Sequence, residues 1–343
     1  MWCPRLEHFV RFNPTGKVAR CGHMTNPPQF DSLQDMDSSE WLKQINTKFE
    51  NNIWPTECIR CQETEDLNKT SIRLNSIQLH ETSTRPDYLQ VGGVLDNICN
   101  SACQFCSAAL STKIGSLTSS DYLMIDNSTK FWNLPLERIE HLDINGGEPS
   151  TSKNYKQLLK NLPPNLKTLR VNTNCLILLP ELEEIQRQGV DVTVTVSFDG
   201  VDSVGEYVRW PIPWHSFVNN LMKYKEFNLH SLNLWTTVNA LNINDMQNIF
   251  EFVDTNGFDH SYALLQNPME LSVKFENNFT MAAKNKFINS SDSRLHNLAK
   301  FLAIDPSNQD ELNRFIDKQD KLRNISISNY INIFKKANHG KTI

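Results

Sequence analysis

The sequence predicts an α/β fold: a parallel sheet built from strand–helix units, preceded by a small cysteine-rich module and followed by a helical extension. Three observations predict this. From about Pro86 to residue 270, six short β-rich runs alternate with helical candidates, the rhythm of a parallel sheet. All 8 cysteines fall between Cys3 and Cys175, with none beyond. From about residue 279 the chain reads as polar helix. These changes of rhythm divide the chain into residues 1–84, 85–275 and 276–343.

The 343 residues suggest about two domains, or one large α/β domain with an appendage. The 39 % hydrophobic content suffices for a sizeable core. A net charge of −5 gives no whole-chain electrostatic reason to bind nucleic acid. No apolar run approaches the roughly 18 residues of a membrane span. The opening MWCPRLEHFVRF lacks the basic and apolar blocks of a signal peptide. The expectation is a cytoplasmic protein with no membrane partner, whose cysteines stay reduced.

In the first module, FVRFNPTGKVARC reads as two strands around an Asn-Pro-Thr-Gly turn. SSEWLKQINTKFENN reads as a helix capped by Ser38 or Ser39. WPTECIRCQETE sets a Cys-x-x-Cys pair after a proline. The expected strands of the sheet are YLQVGGVLD, LERIEHLDINGG, LKTLRVNTN, DVTVTVSFDG, LNLWTTVNA and HSYALLQNP. The helical candidates between them are SSDYLMIDNSTKFW, TSKNYKQLLKNL, LPELEEIQRQG, WHSFVNNLMKYKEF and INDMQNIFEFV. A closed barrel, a partial barrel and an open sheet all fit this pattern. Each places ligands at the C-terminal ends of the strands. The basic tail KKANHGKTI reads as a solvated end.

Cysteines used only as small core residues would not cluster this way. In a reducing compartment the leading reading is metal or iron–sulfur ligation. DNICNSACQFCSA sets Cys99, Cys103 and Cys106 as C-x3-C-x2-C, directly after the first strand of the repeat. Three thiolates on one tight loop can hold three irons of a 4Fe–4S cubane and leave the fourth open to a small molecule. A zinc site completed by a remote ligand is the alternative.

This loop, with Phe105 before its last cysteine, resembles the signature of the radical S-adenosylmethionine (radical SAM) superfamily. The next strand ends in Asn145-Gly146-Gly147-Glu148-Pro149, similar to the superfamily's Gly-Gly-Glu-Pro segment. The resemblance implies contact with the cofactor's amino group. Glycines at a strand end admit close approach of backbone to a ligand, and a carboxylate suits an ammonium. Asn172-Thr173-Asn174 stands where the family often has Thr-Asn-Gly, with Cys175 in place of the glycine. Ser197-Phe198-Asp199-Gly200 resembles the Ser-x-Asp-Gly segment of the peptide-modifying branch. Arg209 follows, where that branch often has an arginine reaching the methionine carboxylate. Val238-Asn239 ends the strand after that. Taken singly, each could be an ordinary polar strand end. The resemblance covers residues 86–270 and implies a partial (β/α)6-type barrel.

Cys3, Cys21, Cys58 and Cys61 form a second complete ligand set. CPRLEHFVRFNPTGKVARC and CIRCQETEDLNKTSIR resemble the opening and exit segments of the SPASM or twitch modules, which carry an auxiliary 4Fe–4S cluster. Such a module follows the barrel in better-known members and precedes it here. A zinc knuckle and a Cys58–Cys61 redox dithiol are the alternatives. His23 reads as a loop histidine rather than a ligand, and Cys175 as buried packing near the cofactor.

The resemblance implies reductive cleavage of S-adenosylmethionine to a 5′-deoxyadenosyl radical, with an electron donor such as flavodoxin or ferredoxin. It points to a peptide or protein substrate. RNA, a small biosynthetic intermediate, or a non-catalytic iron–sulfur or zinc protein are the other readings.

Overall fold

Runs of β-branched residues make the strands, because such side chains pack well on a pleated surface. The structure is a computed structural model and describes residues 1–66, 70–83, 85–118 and 123–331. Phe9–Phe12 (β1) and Val18–Ala19 (β2) form the expected antiparallel hairpin. Leu89–Val94 (β3), Ile139–Asn145 (β4), Thr168–Thr173 (β5), Asp191–Ser197 (β6), Ser231–Val238 (β7) and Asp259–Leu264 (β8) follow. In β6, Val192, Val194 and Val196 are fully buried while the threonines between them are half-buried. The six strands expected of the repeat are all present.

The eight strands join one mostly parallel sheet in the order β2-β1-β3-β4-β5-β6-β7-β8. From β3 to β8 this is the order of the sequence, as repeated right-handed crossovers in one direction produce. Among the described residues β2 and β8 are its edges, so the closed barrel falls away. The N-terminal hairpin does more than expected. β1 pairs in parallel with β3, from Phe9 opposite Gln90 to Phe12 opposite Gly93. A two-stranded hairpin is marginal alone, and joining a larger sheet stabilises it. Gly93 permits the docking: its φ is +93°, and a Cβ there would lie 2.2 Å from the Phe12 carbonyl oxygen.

The chain divides into two units. One holds residues 1–98, 123–171 and 180–193; the other holds 99–122, 172–179 and 194–343. The first buries Val91, Leu142, Ile144 and Leu158; the second buries Phe198, Leu234, Phe250 and Phe279. Helix starts follow capping chemistry. Ser39 caps the helix Glu40–Glu50, accepting from the Leu42 amide, and Ser152 caps Lys153–Lys160 in the same way. Six helices escaped the sequence reading: Arg5–His8, Leu33–Asp37, Ile59–Asp66, Ile72–Thr82, Thr112–Thr118 and Asp202–Val208.

The helix expected over SSDYLMIDNSTKFW is corrected. Its first four residues lie outside the described residues, and helix spans only Ser128–Trp132. Asp126 bridges to Asp96, and Asn97 ties the intervening backbone by bonding the Leu123 carbonyl and the Ile125 amide. The C-terminal part is helical as expected, over Asn278–Phe287, Ser293–Ala299 and Gln309–Arg323, with one short parallel strand pair added. The basic tail lies outside the described residues. Among those described, no helix is long and apolar enough to cross a membrane.

Candidate cofactor sites

In the first unit the four N-terminal cysteines come together. Cys3 precedes the helical turn Arg5–His8, Cys21 follows β2, and Cys58 and Cys61 sit where the 3-10 turn Thr56–Cys58 runs into the helix Ile59–Asp66. All four line one cavity, with Leu6, Phe49 and Trp54 as apolar wall and Arg5 and Arg73 as cations. None of the eight cysteines is in a disulfide. Burial pushes the Cys3 thiol up to about 12 and raises Cys58 and Cys61, and the neighbouring sulfurs add to the effect on Cys3 and Cys58. Backbone amides answer from outside the ring. The His23 amide donates to the Cys21 sulfur at 3.3 Å, and the backbone amides of Arg5 and Arg73 pull the Cys3 and Cys61 thiols the other way. Such N–H donors favour thiolate, the form that binds metal. His23 also lines this cavity, although the residue as a whole is exposed.

β4 ends at Asn145, whose buried Oδ1 has no hydrogen-bond partner. Gly146 and Gly147 follow with φ of +95° and +54°. A Cβ on Gly147 would lie 2.2 Å from the Ile98 carbonyl oxygen, and the Glu148 amide donates to that oxygen at 2.7 Å. These glycines therefore admit another stretch of the chain, the one that leads into Cys99. Glu148 is buried, and its carboxylate accepts from the Ser150 amide at 3.1 Å and the Ser150 hydroxyl at 2.8 Å. Asp96 holds the same region: it accepts from the Ile98 amide at 3.1 Å, from Asn154 at 3.1 Å and from the Ser152 hydroxyl.

In the second unit the three-cysteine loop is held on all sides. The Cys99 amide donates to the Thr112 hydroxyl at 3.1 Å, and the Ser101 amide donates to the Cys99 sulfur at 3.4 Å. The Ala102 amide donates to the Trp210 carbonyl at 2.7 Å and the Gln104 amide to the Val208 carbonyl at 2.9 Å. Arg323 donates to the carbonyls of Ala102 at 2.8 Å and Cys103 at 3.2 Å. The sequence reading missed Arg323, which lies more than two hundred residues from the loop and carries no local motif. Burial raises the Cys103 thiol, and burial together with Cys103 pushes Cys106 up to about 12. Arg209 and Arg323 pull both the other way. Phe105 is half-buried.

The strand ends of this unit frame that loop in part. After β5, Thr173 is buried, and Asn174 donates to Asn100 at 2.7 Å and to the Ser101 hydroxyl at 2.8 Å. Cys175 is fully buried with φ +63°, a left-handed conformation that glycine adopts without cost. After β6, Ser197, Asp199 and Arg209 line one cavity with Trp214 and Phe217. Asp199 accepts from the Thr237 amide at 2.6 Å and is ion-paired with Arg209. Burial alone would lower the Arg209 pKa, but Cys103, Asp199 and Cys99 raise it. After β7, the Val238 carbonyl accepts from Leu265 at 2.9 Å. Asn239 is buried in the turn, donating to the Thr237 carbonyl at 2.8 Å and accepting from the Leu241 amide at 3.0 Å.

Among the described residues, no three His, Cys, Asp or Glu side chains are set to hold a metal ion between them. The chemistry of both donor sets nevertheless fits an iron–sulfur cluster. Each presents desolvated thiols with arginine beside them, and a bound cluster would replace their protons. The trio leaves one cluster iron without a protein ligand, whereas the four would complete a cubane.

Residues 94–253 match the model of the Radical SAM superfamily. That match supports an enzyme, and the superfamily it describes uses a 4Fe–4S cluster and S-adenosylmethionine. The chain is also similar to solved structures of SuiB from Streptococcus suis. With SuiB bound to S-adenosylmethionine the identity is 14 % and the TM-score 0.43, covering 86 % of this chain and 68 % of that one. With SuiB bound to precursor peptide SuiA the identity is 13 % and the TM-score 0.44, with the same coverage. No curated protein matches the sequence.

Proposed function

We propose that this protein is a radical SAM enzyme that modifies a peptide or protein, with its cofactor cluster on Cys99, Cys103 and Cys106 and an auxiliary cluster on Cys3, Cys21, Cys58 and Cys61. The observation that carries the first part is the superfamily match over residues 94–253, which contains the C-x3-C-x2-C loop directly after β3. When bound, the cluster supplies the electron and the open iron through which S-adenosylmethionine is cleaved to a 5′-deoxyadenosyl radical.

The chain's own residues bind, orient and exclude water. Thr112, Arg323 and the backbone of Val208 and Trp210 hold the cysteine loop in one shape. Asn174 fixes Asn100 and Ser101 within it. Gly146, Gly147 and Glu148 end β4 and offer backbone and carboxylate to the cofactor's ammonium. Thr173, Asn174, Ser197, Asp199, Arg209, Val238 and Asn239 end the neighbouring strands, where parallel α/β folds bind their ligands. The peptide substrate rests on the likeness of Ser197-Phe198-Asp199-Gly200 to the peptide-modifying branch. A flavodoxin or ferredoxin in the cytoplasm would supply the electron.

The test is anaerobic reconstitution with iron and sulfide, then incubation with S-adenosylmethionine and dithionite. Formation of 5′-deoxyadenosine supports the reading, and protein holding stoichiometric zinc and no iron overturns it. Mass spectrometry of peptides encoded beside the gene, before and after incubation, tests the substrate. An unchanged mass for every peptide, with RNA or a small molecule altered instead, removes the peptide assignment.

A further inference from the structure

Glu65 lies four residues after Cys61 on the helix Ile59–Asp66, and so on the same face one turn along. Ser71 caps the next helix, Ile72–Thr82, and its hydroxyl donates to Glu65 at 2.5 Å. Arg73 meets the same carboxylate as a planar fork, Nε at 2.9 Å and Nη2 at 2.5 Å from its two oxygens. Its remaining nitrogen, Nη1, donates at 2.8 Å to the carbonyl of Trp2, the residue before Cys3. The guanidinium stands 5.4 Å from the Trp54 ring, part of the cavity wall. The Arg73 and Glu65 side chains are only 11 % and 15 % exposed, so solvent does little to weaken the pair.

We propose that Arg73 is the positioning residue of the N-terminal thiol site: it joins the segments that carry Cys3 and Cys61 and places one positive charge on the cavity wall. The proposal rests on the reading of Cys3, Cys21, Cys58 and Cys61 as ligands of an auxiliary cluster. A cubane with four thiolates is an anion that gains a further negative charge on reduction. Among the described residues Arg73 and Arg5 are the arginines that line the cavity and no aspartate or glutamate lines it; both Glu65 oxygens face Arg73. Net charge and hydrogen bonds to sulfur set cluster potentials. Arg73 thus stabilises the reduced cluster as well as holding its ligands. Lysine would keep the charge, but it cannot fork onto Glu65 and still reach Trp2.

The experiment uses the full chain with Cys99, Cys103 and Cys106 all changed to Ala, so that only the N-terminal site holds iron. This parent is expected to bind about four irons. Adding Arg73→Gln should release iron to a chelator about tenfold faster, the scale of lost outer-shell support. It should also move the midpoint potential of the EPR-detected cluster to a more negative value. Adding Arg73→Lys should speed iron release similarly while leaving the potential near that of the parent, and this variant keeps the test open should Arg73→Gln fail to fold. Unchanged release and potential in both variants overturn the role of Arg73. A parent that binds no iron overturns the four-thiol reading itself, a failure distinct from the first.

Discussion

Arg209 and Asp199 form a buried ion pair at the end of β6, and the Asp199 carboxylate also accepts the Thr237 amide at 2.6 Å. The arginine expected to reach a ligand carboxylate thus has a carboxylate partner within the chain. Its Nε is buried with no hydrogen-bond partner, so part of the fork is not used by Asp199.

Removing one member of such a pair leaves an uncompensated buried charge, which costs about 3–5 kcal/mol. Arg209→Ala should therefore lower the urea midpoint as well as cofactor cleavage. The double variant Arg209→Met with Asp199→Asn should recover most of the stability and none of the cleavage. A single variant as stable as the parent would show that Arg209 contributes nothing to the fold.

Gly147 gives a second prediction. Its Cβ position collides with the backbone of Ile98, the residue before Cys99, and its φ of +54° is unfavourable to any side chain. Gly147→Ala should destabilise the protein, by roughly 1–2 kcal/mol for the backbone conformation alone. Gly147→Val adds a branched side chain against fixed backbone and should lower the iron bound by the trio as well as cofactor cleavage. Full iron content in Gly147→Val would mean that the Ile98 segment can move aside without consequence.

Cys175 occupies a left-handed position where the family often has glycine. Its thiol points to the Phe217 carbonyl at 3.8 Å, and its amide donates to Thr173 at 3.1 Å. Cys175→Gly should keep the full iron count and change stability by no more than about 1 kcal/mol, as relief of backbone strain offsets the lost thiol packing. Loss of iron in this variant would make Cys175 a ligand.

The sheet was legible because period and composition are local. The valines of β6 and the glycines after β4 announce themselves within ten residues. Caps were legible for the same reason, as Ser39 shows. The docking of β1 on β3 was not, because it depends on Gly92 and Gly93 accepting a strand from eighty residues away. The helix Asp202–Val208 was hidden by its start, where Asp202 takes φ +49° and no side chain caps the turn. At the sites, the grouping of Cys3, Cys21, Cys58 and Cys61 was readable in the sequence, and the four do line one cavity. Of the cysteines' supports, Arg323 acts across more than two hundred residues and leaves no periodic trace, whereas the Arg73–Glu65 fork closes within the segment CIRCQETEDLNKTSIR.

His141 predicts a pH dependence. The residue is buried on β4, between the Thr168 hydroxyl at 3.0 Å and the Ser83 hydroxyl at 3.4 Å. Burial lowers its pKa from 6.5 to about 4. The unfolded chain therefore binds a proton that the folded chain refuses between those values. The contribution is complete above pH 6.5 and is lost as pH falls toward 4, amounting to about 3 kcal/mol at most. Urea unfolding at pH 7.5 and 5.0 should show this loss, and His141→Gln should reduce it. An equal loss in the variant would assign the acid sensitivity to other groups.

The last prediction separates the two cysteine groups. Anaerobically prepared protein should be brown and carry about eight irons, two cubanes of four. Changing Cys99, Cys103 and Cys106 to Ala should leave about four, and changing Cys58 and Cys61 to Ala should also leave about four. The two variants should differ in everything else. The trio leaves an iron open to a ligand, so Cys103→Ala should abolish both cleavage of S-adenosylmethionine and substrate turnover. The N-terminal four fill a cubane completely, so their loss should spare part of the uncoupled cleavage and suppress turnover. It should also loosen the core of Leu6, Ile45 and Phe49 that packs around Cys21 and Cys58, since metal there would add to a thin apolar cluster. Iron analysis, 5′-deoxyadenosine yield and proteolysis of the N-terminal segment read these three effects separately. An unchanged iron count in the Cys58 and Cys61 variant would remove those residues as ligands. Complete loss of cleavage in that variant, with the residues beyond 99 still folded, would reverse the roles of the two clusters.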